Sequence, residues 1–292
     1  MVFYRMLFIN LVLFLSFNSA YGKDLGSQLP NPYIIKYPFK SAVIHYEGKS
    51  IYGHNVAAEG TETVFIKGDM LTKEKNIVVT NRDGTKDNVK IVRIFGLEYV
   101  YTIDFNKKTG TRIDNSKKYG VAAYDNLAED EKKAFLGRMK RRGAVSIDLL
   151  GLGKKIGTDT ILGRKCDVYL LGDGAEKNEK NVSTQGNVNS SYTKTWVWKE
   201  AKIPLKVVST AAGLSSVLTA TKIEENVNIP DTVFEVPDDI KITYDKETSQ
   251  IAKRESMARF ELYKTGNPMV IRMEAKKEAV MPEESPNPGG SN

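Results

Sequence analysis

Residues 193–242 read TKTWVWKEAKIPLKVVSTAAGLSSVLTATKIEENVNIPDTVFEVPDDIKI, and the alternation inside them decides the fold class. Trp196 and Trp198 share one face of a strand, with Thr195 and Val197 on the other. After Pro204, Leu205 and Val207 alternate with Lys206 and Val208, and Leu214, Ser216, Leu218 and Ala220 recur at every second position. A period of two with one covered face is the signature of antiparallel strands. The stretch therefore reads as three strands of a large curved sheet and a proline-punctuated tail, with no catalytic chemistry in it.

The same pattern extends upstream. SAVIHYEGKSIYGHNVA (41–57) is long for one strand and is expected to bend at Gly48 and Gly53. Ala58-Glu59-Gly60 reads as a turn, TETVFIK as a strand, Gly68-Asp69 as a tight turn and Arg82-Asp83-Gly84 as a hairpin. LEYVYTIDFN puts Tyr99, Tyr101 and Ile103 on one face. At Asp125 the period changes. DNLAEDEKKAFLGRMKRRG has Asn126 and Glu129 at capping-box spacing, acids first, bases last and Gly143 as a stop. This predicts a helix from about Leu127 to Arg142 with Phe135, Leu136 and Met139 turned inward, followed by the short apolar segment AVSIDLLGLGKK. Strand pattern resumes at KIGTDTILGRKCDVYLL, Gly172 to Ser191 is a polar loop, and KETSQIAKRESMARFELYK reads as a second, exposed helix with Ile251, Ala258 and Leu262 on one side.

The ends of the 292-residue chain read differently from its middle. MVFYR and the apolar run MLFINLVLFLSF resemble a signal peptide, with cleavage expected after Gly22, so the mature protein is expected to be exported and periplasmic. Residues 23–40 hold three prolines and read as an extended leading segment. The domain itself is expected over 41–243, the C-terminal helix over 244–265, and a disordered tail over 266–292.

The formal net charge is +7, and 132–155 alone holds eight bases against Asp148. Lys132, Lys133, Arg138, Lys140, Arg141, Arg142, Lys154 and Lys155 thus bracket the apolar Leu149, Leu150 and Leu152. Two readings stand: bases complementing a helix C-terminus, or a basic rim suited to an anionic membrane surface or an acidic envelope protein. An exported chain without a nucleic-acid module argues against nucleic acid. Gly151-Leu152-Gly153-Lys154 fails both phosphate-loop patterns, since Ile156 stands where the dinucleotide fingerprint needs Gly and Asp148 where the Walker pattern needs it. No nucleophile–base–orienter set assembles, so no enzyme and no cofactor are expected. His45 and His54 lack a third ligand, so no metal is expected, and the single cysteine, Cys166, reads as a buried apolar residue.

The order YEGKSIYG, GTETVFIKGDML, TDTILGRKCDVYLL, TKTWVWKEAKIPLKVV and NIPDTVFEVPDDIKI resembles the outer-membrane lipoprotein-sorting (periplasmic lipoprotein carrier, LolA-like) superfamily over about Ser41 to Ile242. The resemblance implies a mainly β, α+β fold: an unclosed antiparallel half-barrel covered by helices, whose concave face takes lipoprotein acyl chains. The Leu127–Arg142 helix and SIDLLGLG would supply the cover. Expected contacts to an acyl chain or other apolar ligand are Tyr99, Tyr101, Phe135, Leu136, Met139, Leu149, Leu150, Leu152, Trp196, Trp198, Leu205 and Val207. Each is also an ordinary core candidate, and alternation does not say which face is concave. The other reading is an envelope-stress sensor or interaction module of the same fold without transported cargo.

Overall fold

The computed structural model describes residues 29–53, 55–81, 83–141, 153–172 and 191–266. Twelve strands form one unclosed sheet, accompanied by three helices. In chain order the strands are β1 (Ser41–Tyr52), β2 (Asn55–Lys67), β3 (Met70–Thr80), β4 (Lys86–Phe95), β5 (Tyr99–Asp104) and β6 (Thr109–Asp114). Helices α1 (Lys117–Asp125) and α2 (Glu129–Arg141) follow, then β7 (Lys154–Ile161), β8 (Arg164–Leu171), β9 (Tyr192–Trp198), β10 (Ile203–Ala211) and β11 (Leu214–Glu225). A 3-10 turn at Asp231–Phe234, β12 (Lys241–Tyr244) and α3 (Lys246–Thr265) end the described chain. The spatial order is β12-β6-β5-β4-β3-β2-β1-β11-β10-β9-β8-β7, so β1 pairs with β11 in the middle and two meanders run outward from that seam. Every pairing is antiparallel except β12 on β6.

The short hairpins have a local cause. At Leu162-Gly163 and Ala212-Gly213 both central residues have positive φ, the two-residue turn whose twist matches that of the flanking strands. Ala58-Glu59-Gly60, by contrast, is not a turn; it lies inside β2. Gly60 sits opposite Gly48 in register, and a Cβ on it would come within 2.1 Å of the Asn76 carbonyl oxygen. The glycine marks a close approach of strands, which sequence reading took for chain reversal.

Three apolar clusters hold the molecule. The largest lies inside the curl and joins Phe39, Ile44, Val64, Leu71, Phe95, Trp198, Ile203 and Leu205. Tyr46 reaches across β11 to donate its hydroxyl to the Pro204 carbonyl at 3.0 Å, pinning β1 to β10. A second cluster packs Val92, Ile94 and Ile103 against Ile240, on the opposite, convex face. Register proves the sidedness: Val92 opposes Ile103 and Ile94 opposes Tyr101, whereas Arg93 and Phe95 point the other way. The proline-punctuated tail therefore crosses the outside of the sheet, tied by Lys67 to the Ile229 carbonyl (3.0 Å) and to Asp231 (2.6 Å), and delivers β12 to the far edge.

The third cluster is helical: Tyr33, Tyr124, Leu127, Phe135, Met139, Phe260 and Tyr263. Sequence reading missed α1, which has no acid in its first turn and no side-chain cap. Its Gly120 faces the Tyr33 ring so closely that a Cβ would sit 2.1 Å from it, and this docks the leading segment into the fold. Helix α2 starts two residues later than expected, and its box closes from Glu131, which accepts from the Ala128 N–H at 3.0 Å, rather than from Asn126 and Glu129. Helix α3 has Asp245 as N-cap, accepting from the Thr248 N–H, and left-handed Gly266 as C-cap. No helix among the described residues is long and apolar enough to cross a membrane.

Candidate ligand-binding groove

The inner face is defined by five strands whose registers agree. Gly48 opposes both Gly60 and Leu218, Ser50 opposes Ala58 and Ser216, Gly60 opposes Ile77, and Val207 opposes Leu218. These residues line a groove partly open to solvent, whose own enclosed volume is about 80 Å³. Gly48 and Gly60 face one another in its floor, with the Leu218 side chain 3.2 Å from where a Cβ on Gly48 would sit. Ala58, Ile77, Val207 and Leu218 give it apolar walls, and Ser50, Ser209 and Ser216 a polar end. The Ser50 and Ser216 hydroxyls satisfy each other at 2.6 Å.

At the other end, Glu62 and Lys75 line the groove, and Glu62 with Lys73 lines a narrow adjoining crevice beside Tyr46, Leu71 and Ile203. Register places Glu62 opposite Lys75 and Lys73 opposite Arg93, all on the inner face. Glu62 Oε2 lies 2.9 Å from Lys75 Nζ and Oε1 lies 4.0 Å from Lys73 Nζ. Only 5% of Glu62 and 5% of Lys73 is exposed. Lys73 Nζ and the Arg93 guanidinium stand over the Phe95 ring at 5.9 and 5.0 Å. Burial alone would raise Glu62, yet Lys75 and Lys73, with Arg93 behind them, hold its carboxyl below the ordinary value. Burial pulls the Lys73 ammonium down to about 7, with Glu62 opposing the fall and Lys75 and Arg93 adding to it. Burial likewise lowers Arg93 to about 10, against the attraction of Glu62. Burial, then the Glu62 charge, holds the Tyr46 phenol well above its ordinary value and so keeps it a neutral donor.

Of the residues expected to touch a ligand, Val207 lines the groove and Leu205 is fully buried in the core next to it. Trp198 packs on Phe39 (5.8 Å) under the Arg164 guanidinium (5.0 Å). Trp196 donates to Asp159 at 2.9 Å, with Lys194 and Lys206 over its ring. Both tryptophans belong to the core cluster, and neither lines the groove. Tyr99 and Tyr101 lie on the convex face, because the covered tail makes that face apolar too. Phe135 and Met139, with Leu136 against them, pack among the helices against Phe260 and Tyr263 rather than over the groove. Leu149, Leu150, Leu152, Arg142 and His54 lie outside the described residues, as does the signal-like segment.

The expected basic rim also divides. Arg138 donates to the Tyr263 and Lys264 carbonyls at the end of α3, Lys132 is buried beside Glu129 (3.6 Å), and Lys155 pairs with Asp167 at 2.6 Å. Lys133, Lys140, Arg141 and Lys154 are exposed. His45 pairs with Glu224 at 3.2 Å, and no group of three metal-ligating side chains occurs among the described residues. Cys166 is buried, as expected, and burial pushes its thiol up to about 11. Sequence reading missed Glu62, Lys73, Lys75 and Arg93. The available signal was phase: Lys73 and Lys75 are in step with Leu71 and Ile77 at every second position, so whichever face buries those two also buries the lysines.

No family model matches the chain and no curated protein matches it. Among solved structures, an uncharacterized conserved protein from Thermus thermophilus aligns with a TM-score of 0.38 at 6% identity, over 71% of this chain and 92% of that one. MucB in complex with MucA(peri) gives 0.32 at 11% identity, over 70% of this chain and 56% of that one. The Mycobacterium tuberculosis lipoprotein LppX gives 0.28 at 13%, over 66% and 91%. With all three TM-scores below 0.5, neither family nor function of this chain follows from these likenesses.

Proposed function

We propose that this is a non-catalytic binding protein of the cell envelope that holds one alkyl or acyl chain, free or carried by a lipid or lipoprotein, in the groove over Gly48 and Gly60. The observation that carries the reading is the lining: Ala58, Ile77, Val207 and Leu218 give apolar walls to a groove that passes over the backbone of Gly48 and Gly60. A slender chain replaces water there, with a driving force of about 0.8 kcal/mol per buried CH₂. That is roughly fourfold in affinity per methylene. The basic-then-apolar start of the sequence supports the envelope location. Denaturing the purified protein and analysing it by mass spectrometry should release a lipid, and 1-alkanols of increasing length should bind about fourfold more tightly per methylene until the groove is full. A lipid-free spectrum together with a flat alkanol series rejects the reading.

A protein-interaction role is favoured by one further observation. Edge strand β7 is exposed at seven of its eight positions, leaving backbone donors and acceptors open to an added strand.

A further inference from the structure

On the outer face of the sheet, one rung across three strands reads Tyr101 on β5, Arg112 on β6 and Tyr244 on β12. The rung before it, Ile103, Gly110 and Ile242, is apolar, so the architecture does not call for a cation at this place. The Arg112 guanidinium lies 4.8 Å from the centre of the Tyr99 ring and 5.7 Å from that of Tyr244, and the two rings stand edge to face at 6.5 Å. Those contacts hold the guanidinium in place without using its hydrogen bonds. Its Nε is buried and has no acceptor among the described residues. A buried donor left open costs free energy that an arriving acceptor recovers. The acid next along the same face, Asp114, is already engaged: Tyr119 donates to it at 2.5 Å and Tyr244 at 3.4 Å, and the Lys118 ammonium lies 3.7 Å away.

We propose that this corner, separate from the alkyl groove, binds an acidic sugar, with the sugar carboxylate on the Arg112 fork and the sugar ring against the tyrosines. A planar carboxylate matches the paired donors of a guanidinium. Tyr99 and Tyr101 are half-buried and Tyr244 is 41% exposed, so ring surface stays open on both sides of the cation. Such amphipathic surface around a charged fork suits a ligand with apolar C–H faces, a hydroxyl rim and one negative charge. Neighbouring strands lie about 4.8 Å apart, so Tyr101 and Tyr244 flank Arg112 at roughly 10 Å from each other, a width that admits one sugar ring. A bare acid would leave the rings unused, and a neutral sugar would leave the guanidinium open. The alternation of ring and cation continues toward α3: Lys118 lies 5.5 Å from the Tyr99 ring and 5.4 Å from that of Tyr119, and Lys253 lies 5.0 Å from Tyr119 on its other flank. The site therefore suits a short chain of acidic units.

The test titrates the full chain by calorimetry with tetragalacturonate, a neutral galactose tetrasaccharide and tetraglutamate, which carry ring and charge, ring alone, and charge alone. Tetragalacturonate should bind at least tenfold more tightly than either of the others. Arg112→Met should bring the acidic-to-neutral ratio toward one, which a merely structural defect would not do. Arg112→Lys should recover little of that ratio, because an ammonium lacks the planar fork. Tyr244→Ala removes an exposed ring and should weaken tetragalacturonate about tenfold while leaving the melting temperature unchanged. Tetraglutamate binding as tightly as tetragalacturonate would assign the corner to an acidic protein segment and overturn the sugar site. Absence of tetragalacturonate binding, or an Arg112→Met variant that keeps the wild-type ratio, overturns it as well.

Discussion

Two halves of the sheet are curled by the same backbone and filled in opposite ways. On β9 and β10, Trp198, Ile203 and Leu205 are almost wholly buried and pack with Phe39 and Ile44. On β2, β3 and β4, the groove-facing phase carries Glu62, Lys73, Lys75 and Arg93. The apolar half gains free energy from burial and the charged half spends it, and Leu218, lining both the groove and the adjoining crevice, is where they meet. Charge is tolerated on one side because the curl is already held by the other.

The largest expected effect therefore lies in the apolar half. Trp198→Ala removes a ring packed on Phe39 and under Arg164, and should destabilise the protein by about 3–5 kcal/mol in urea or thermal melts. A loss below about 1 kcal/mol would mean that the curl is held elsewhere, and the contrast between the halves would collapse.

In the charged half the sign should reverse. The ammonium of Lys73 has fallen from 10.5 to about 7, so between those values the unfolded chain binds a proton that the folded chain does not. Folding stability then rises with pH across that window. Lys73→Met removes the buried ammonium, leaves Glu62 paired with Lys75, and should stabilise the protein by about 1–3 kcal/mol at pH 7. It should also flatten the rise in stability between pH 7 and 10. A destabilised variant that keeps the wild-type slope would show that Lys73 serves the fold.

How far the sequence could be read follows the same division. Alternation located the strands around Trp196 and Leu214 because their opposite faces differ in polarity. It could not say which face Tyr99 and Tyr101 take, because the tail through Ile240 covers the convex face and makes both sides of β5 apolar. The lysines at 73 and 75 drew no reading, although their phase with Leu71 places them on the face that buries it. Long-range closure decided each of these, and local period carries no information about it. Helix α2 was legible from its charge gradient, but its partner was not, since packing on α3 depends on Tyr263 and Phe260 more than a hundred residues away.

The smallest effects are expected where charge meets water, and they separate structural bases from merely exposed ones. Arg138 donates to two carbonyls at the C-terminal end of α3, where a cation complements both the open acceptors and the helix dipole. Lys133, five residues earlier on the same helix, is exposed. Arg138→Ala should cost about 1 kcal/mol in thermal melts at low salt and less at high salt, because screening weakens the dipole contribution. Lys133→Ala should stay within about 0.5 kcal/mol of wild type. Equal losses would mean that the bases of α2 act through their summed charge, as a basic rim would, whereas a loss confined to Arg138 assigns it to joining α2 with α3.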